Sequence, residues 1–150
     1  MTNDNFEIHP MAENDLDEVI QIGLTTKQLQ INDTEAMYYS KESLQRAIQS
    51  PNEVCLVVKI QDILAGFFIA HINEVFEEAY ISDISLKEEF RGMGLGQLLF
   101  TKAREILSGR HIDWSWALVQ EENDNMHRFM AKQGYKKGKK FFFFYRPTGF

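Results

Sequence analysis

Cysteine, proline and long apolar runs are nearly missing here: one cysteine and three prolines stand among 150 residues. The lone Cys55, inside VCLVV, has no partner for a disulfide and reads as a small buried hydrophobe suited to a reducing cytoplasm. No stretch approaches the roughly 20 apolar residues of a membrane helix, so no membrane partner is expected. MTNDNFEIHP has neither a basic region nor an apolar core, so it does not read as a signal peptide. Basic excess is missing as well. With 16 Lys+Arg against 22 Asp+Glu the net charge is -6, which argues against nucleic acid as the main partner. His9, His71, His111 and His127 show no ligand spacing, which predicts no metal. Hydrophobic content of 44% suffices for one domain spanning residues 1–150.

The pattern along the chain is mixed α and β. FEIHPM reads as a first strand ending near Pro10. From Asn14, Leu16, Val19, Ile20 and Leu24 recur at helical spacing, with acidic residues at the favourable end. SKESLQRAIQSP fits a second helix capped by Ser40 and stopped by Pro51. EVCLVVKI and ILAGFFIAHI are separated only by Gln61 and Asp62, which predicts a hairpin. AYISDISL is a further strand, and Leu95, Leu98, Leu99, Ala103, Ile106 and Leu107 form one helical face. HIDWSWALV predicts a strand, DNMHRFMAKQG a short helix closed by Gly134, and KKFFFFYR a last strand. The class is α+β.

Between the AYISDISL strand and its helix lies EEFRGMGLGQLLF, with Gly92, Gly94 and Gly96 directly behind Arg91. Glycine is poor at starting a helix, so these positions answer to something other than helix stability. Successive bare amides at a helix start favour an anion, and Arg91 adds a fixed bidentate charge. The local chemistry predicts a pyrophosphate cradle. A Walker loop needs Gly-Lys-Ser/Thr, but Gly96 is followed by Gln97 and Leu98. A dinucleotide fingerprint fails at Gln97 and Leu99, where its last glycine would fall.

R-x-x-G-x-G does fit, as Arg91, Gly94 and Gly96, and with the preceding SDISLKEEF the segment resembles the acetyl-CoA-binding motif of the GNAT N-acetyltransferase superfamily. EENDNMHRFMAKQGYKK resembles that family's second motif, with Asn123, Gly134 and Tyr135 in the Asn and Gly-Phe places. The resemblance implies an α/β/α arrangement around a mostly antiparallel, twisted sheet, splayed open after the fourth strand. It also implies acetyl-CoA as cosubstrate. The pantetheine arm would pair with backbone near Ile84 and Leu86, and the pyrophosphate would lie over Arg91, Gly92, Met93, Gly94, Leu95 and Gly96. Asn123 belongs to the same cofactor-binding set. The implied reaction is direct attack of a neutral primary amine on the thioester, the amine belonging to a small molecule, peptide or protein N-terminus. A non-catalytic acyl-CoA-binding or sensing module of the same fold is the alternative.

The proton-handling residues depart from the family pattern. Many members carry a tyrosine four residues before the glycine of Gly-Phe, but here Met130 stands there and has no proton to give. For the base, Glu78 is the first choice, Asp83 the next, and Tyr80 a poor base unless its pKa is lowered. By alternation Glu78 and Tyr80 share a face with Ser82 and Ile84, while Asp83 points away unless a bulge intervenes. Tyr38 and Tyr39 are candidates for an acceptor pocket, and Glu74, Glu77 and Glu78 favour a cationic acceptor. Trp114 and Trp116 read as core. KKGKK reads as a solvated hairpin connection. FFFFY reads as a strand buried on both faces, with a homodimer contact over one face left open.

Overall fold

The computed structural model describes residues 5–146; the first four residues of the N-terminal stretch read above lie outside them. Strand β1 (Phe6–Pro10) is followed by helices α1 (Leu16–Thr25) and α2 (Lys41–Gln49) and then strands β2 (Glu53–Ile60), β3 (Ile63–Asn73) and β4 (Glu78–Leu86). Helix α3 (Leu95–Gly109), strand β5 (Trp114–Ala117) and helix α4 (Asp124–Lys132) complete the order. The strands lie side by side as β1-β2-β3-β4-β5, antiparallel except that β5 runs parallel to β4.

Local chemistry explains several boundaries. Gln61 and Asp62 both take positive φ, 49° and 67°, the twist-matched geometry of a two-residue hairpin loop. Ser40 caps α2 by accepting from the Ser43 amide at 3.1 Å. Gly134 closes α4 at φ 87°. Ile22 and Gly23, more than Leu24, carry the buried side of α1 at its end, with Leu24 37% exposed.

Two apolar layers cover the sheet. On one face α3 and α4 pack through Leu95, Leu99, Phe100, Ala103 and Met130 onto Phe68 and Ile81. On the other, Leu16 and Val19 of α1 and Leu44 of α2 pack onto Val57, Phe67 and Ile69. Strand β3 is buried on both faces, so it reads as a continuous apolar run rather than an alternation. Two register shifts interrupt the ladders. Ala65 is extra on β3, because Val58 pairs with Gly66 and Lys59 with Leu64. Ser82 is extra on β4, because Ile69 pairs with Asp83 and Ala70 with Ile81.

Three expectations need correcting. Residues 135–146 form no strand, and Phe141, Phe142, Phe143, Phe144 and Tyr145 are exposed, not buried on both faces. The edge of β5 stays without that partner, so KKGKK is solvated but joins no hairpin. Trp114 and Trp116 are not core: they are 65% and 37% exposed on the four-residue β5, far shorter than HIDWSWALV. Four residues packed on one neighbouring strand do not bury an indole.

Asp15 is a buried acid at the entry to α1. It is 4% exposed and held by Lys59 Nζ at 2.6 Å and the Ala12 amide at 2.8 Å. Removing one partner of such a pair strands the other charge, which costs about 3–5 kcal/mol. Lys59→Met should therefore lower unfolding free energy by about that much, and Asp15→Asn added to it should recover much of the loss. Chemical denaturation of the wild type, the single variant and the double variant measures this; equal stability of all three would show the pair to be inert.

Candidate active site

The chain between β4 and α3 makes one tight turn at residues 88–90 and then exposes its backbone. Gly92 and Gly94 adopt φ of 76° and 80°, the left-handed region that disfavours every residue with a Cβ, and Gly94 is the cap of α3. Gly96 has another reason. A Cβ there would meet Phe129 Cε2 at 3.5 Å and Leu86 Cδ1 at 3.8 Å, ordinary contacts, so neither backbone strain nor crowding within the protein demands glycine. The amides of residues 92–97 donate to no group among the described residues, and the first helical acceptor is the Gly94 carbonyl, taken by Leu98 at 3.2 Å. Six consecutive N–H groups are thus without an acceptor among the described residues at the positive end of a 15-residue helix. Arg91 stands beside them, exposed, braced through Nε to the Leu86 carbonyl at 3.3 Å. A diphosphate suits these donors, which have no acceptor of their own.

Directly above the loop the sheet opens. β5 pairs with β4 only from Glu78 to Ile81, so the remaining residues of β4, through Ile84 and Leu86, have no strand on that side. Unpaired strand backbone of this kind accepts an extended ligand as an added strand.

The bulge at Ser82 decides which side chains meet at the opening. It returns Asp83 to the face of Tyr80, next to α1 and α2, and turns Ile84 and Leu86 to the α3 face. The alternation assumed from sequence thus breaks after Ile81, and Ile84 does not share a face with Tyr80. Glu78 lies in the closed part, about 10 Å of strand below the point of parting.

Asp83 is 6% exposed. Tyr38 Oη donates to Oδ1 at 3.4 Å and Ser82 Oγ to Oδ2 at 2.6 Å. Burial pushes its carboxyl above the usual range, and the Ser82 hydroxyl, His71 and the two tyrosine hydroxyls pull it part of the way back. Burial likewise raises the phenols of Tyr38 and Tyr80, and lifts Tyr39 to about 12, with the Asp83 charge as the second cause for each. These tyrosines are held as neutral donors. The Tyr38 ring comes this close because residue 23 is glycine, where a Cβ would lie 2.4 Å from the ring.

An aromatic run crosses the same face. Trp116 stacks on Tyr80 with centroids 4.4 Å apart, and Tyr80 stacks on His71 at 5.9 Å. His71 Nδ1 bonds the Glu53 carboxylate, and its Nε2 lies 3.4 Å from the Tyr39 hydroxyl. Neither Glu53 nor His71 stood out in the sequence, where 18 residues separate them. Only the β2–β3 register, shifted by Ala65, makes them directly opposite. Asn123 spends its carbonyl oxygen capping α4, accepting from the Met126 amide at 3.2 Å, which leaves its NH₂ to donate. Met130 is 8% exposed and packs into the α3 layer.

Residues 23–135 match the model of the Acetyltransferase (GNAT) family. The chain belongs to the GNAT acetyltransferase family. Its fold is that of solved GNAT structures. An aminoglycoside acetyltransferase from an uncultured soil metagenomic sample, in complex with trehalose, superposes at TM-score 0.78 and 17% identity, covering 99% of this chain and 100% of that one. The PaiA N-acetyltransferase of Thermoplasma acidophilum, in complex with coenzyme A, gives 0.75 at 22% identity over 88% and 90%. The ribosomal-protein-S18-alanine N-acetyltransferase of Escherichia coli gives 0.72 at 17% over 89% and 79%. No curated protein matches the chain. No metal-holding cluster of His, Cys, Asp or Glu occurs among the described residues, and none of their helices is long and apolar enough to cross a membrane.

Two outcomes follow from Asp83 and Tyr38. An ionised Asp83 in a site that raises its pKa opposes folding. That penalty is present above the raised native value and fades as pH falls toward the ordinary carboxylate range, because the folded state then takes up the proton first. Asp83→Asn should therefore melt at or above the wild type at pH 7, with the two curves converging in acid. A variant that melts well below wild type at neutral pH would show that the charge holds the fold. Gly23→Ala should displace the Tyr38 ring and lower the melting temperature, with stability partly restored by Tyr38→Ala in the same chain; additive losses would mean that the two residues do not meet.

Proposed function

We propose that this GNAT protein is an N-acetyltransferase that moves the acetyl group of acetyl-CoA onto a primary amine by direct attack. The observation that carries this reading is the run of six unpaired amides at the start of α3, set immediately below the unpaired edge of β4. Residues 91–96 would hold the pyrophosphate, with Arg91 adding charge; the backbone of Ile84 and Leu86 would take the pantetheine amides, and the Asn123 NH₂ would donate to the same ligand. When bound, acetyl-CoA supplies an activated acyl carbonyl on a thiolate leaving group.

The residues of the chain then have separable jobs. Asp83 is the proton acceptor: it sits on the acceptor face where β4 and β5 part, with a raised proton affinity. Because it is buried, the proton reaches it through the hydroxyl of Tyr38 or Ser82, each of which both donates and accepts. Tyr80 and Trp116 form an apolar wall that keeps water from the attacking amine. Glu78 acts on approach, through its charge, as part of the acidic surface that draws in an ammonium. Arg110 spends one of those charges by pairing with Glu74 at 2.6 Å.

A second reading, a non-catalytic acyl-CoA-binding module, is favoured by one observation. Met130, in the place of the family's usual tyrosine, is buried in the core and offers no proton to a leaving thiolate. A coenzyme A thiol is acidic enough to leave unassisted, so the enzyme reading survives this.

Ligand that binds only the folded state adds about 2.7 kcal/mol at a hundredfold excess over its dissociation constant. Acetyl-CoA should raise the melting temperature accordingly, and Gly94→Val, which cannot adopt φ 80° without strain, should remove most of the shift while the chain stays folded. Amine-dependent release of free thiol should accompany binding and fall about a hundredfold in Asp83→Asn, which keeps its acetyl-CoA shift. A full shift in Gly94→Val would move the cradle elsewhere; a shift in the wild type with no amine-dependent thiol would favour the binding module.

A further inference from the structure

A cavity of about 420 Å³ opens between α2 and the paired strands β2 and β3, on the sheet face that carries Asp83. Its floor is apolar, from Leu44 and Ile69. On the strand side stand Glu53 and His71. The Glu53 carboxylate bonds His71 Nδ1, and His71 Nε2 lies 3.4 Å from the Tyr39 hydroxyl. The His71 ring leans on Tyr80 and, through it, on Trp116, so this wall leads to the place where β4 and β5 part.

On the helix side stands Arg46. Its guanidinium bonds the Ser43 hydroxyl at 3.2 Å, and no carboxylate lies within ion-pairing distance of it among the described residues. One wall therefore accepts hydrogen bonds and carries negative charge. The other carries an uncompensated cation with two further hydroxyls, Ser43 and Ser50, beside it. At about 30 Å³ per water the space equals roughly 14 waters, enough for a small amino acid.

We propose that this cavity binds the acceptor, and that the acceptor is a free amino acid. Its ammonium donates to the His71–Glu53 wall, its carboxylate pairs with Arg46, and its side chain lies on Leu44 and Ile69. The inference rests on the N-acetyltransferase reading and names the substrate class for it. A planar guanidinium recognises a carboxylate through two parallel bonds, which a carboxamide cannot reproduce.

The test uses the whole chain with the twenty standard amino acids and their carboxamides, read by melting temperature and by thiol release from acetyl-CoA. At least one amino acid should raise the melting temperature more than its own carboxamide does and show a KM at least tenfold lower. Arg46→Gln should abolish that discrimination in both readouts while retaining the acetyl-CoA shift. If every amino acid and its carboxamide behave alike, or if Arg46→Gln keeps the discrimination, the inference is overturned. Thiol release with amines that ignores the carboxylate would overturn it and leave the N-acetyltransferase reading standing. An Arg46-dependent shift by an amino acid without any thiol release would show an amino-acid pocket but overturn the acceptor inference together with the enzyme reading.

Discussion

The bulge at Ser82 controls which groups can meet where β4 and β5 part. A strand without it would present residues 78, 80, 82, 84 and 86 to one face. With one residue extra, Tyr80 and Asp83 share the face covered by α1 and α2, and Ile84 and Leu86 turn to the α3 layer. The strand's apolar residues after the bulge are thereby used for packing beside the glycine loop, while its one buried acid is delivered to the opposite face. β5 pairs only as far as Ile81, the residue just before the bulge, so the irregularity and the opening coincide. Bulges gather at such places because the extra residue re-aims side chains without unravelling the ladder.

The second irregularity, at Ala65, does similar work on the neighbouring pair. Counting back from a two-residue turn at Gln61 and Asp62, with Ile60 opposite Ile63, sets Glu53 opposite Ala70. The extra residue moves Glu53 opposite His71 instead. This explains what was legible in the sequence and what was not. The hairpin could be read from its turn chemistry, and the loop from Arg91, Gly92, Gly94 and Gly96, because both depend on residues adjacent along the chain. The Glu53–His71 contact and the face of Asp83 depend on single-residue shifts that leave no mark in a period-two pattern.

The glycines themselves have two different causes. At Gly92 and Gly94 the backbone conformation disfavours a side chain, and that alone would account for them in any tight turn. Gly96 has no such constraint: a Cβ there would meet Phe129 and Leu86 at ordinary contact distance, so neither strain nor crowding within the chain accounts for it. The aromatic residues misled for a physical reason too. Apolar runs signal burial only when another layer exists to cover them. Beyond α4 the chain has no partner strand among the described residues, so Phe141 to Tyr145 stay in solvent.

Two carboxylates are buried among the described residues, and the fold treats them differently. Asp15 is matched by a lysine ammonium and a backbone amide, charge against charge, at the entry to a helix. Asp83 receives hydroxyl donors, Tyr38 and Ser82 among them, and no cation lies within ion-pairing distance of it among the described residues. A fold selected for stability alone would pair that charge or replace it with an apolar group of similar size. Burial keeps its proton affinity high against the pull of these hydroxyls, each of which can both donate and accept. That unmatched acid lies beside the stretch of β4 that β5 leaves unpaired.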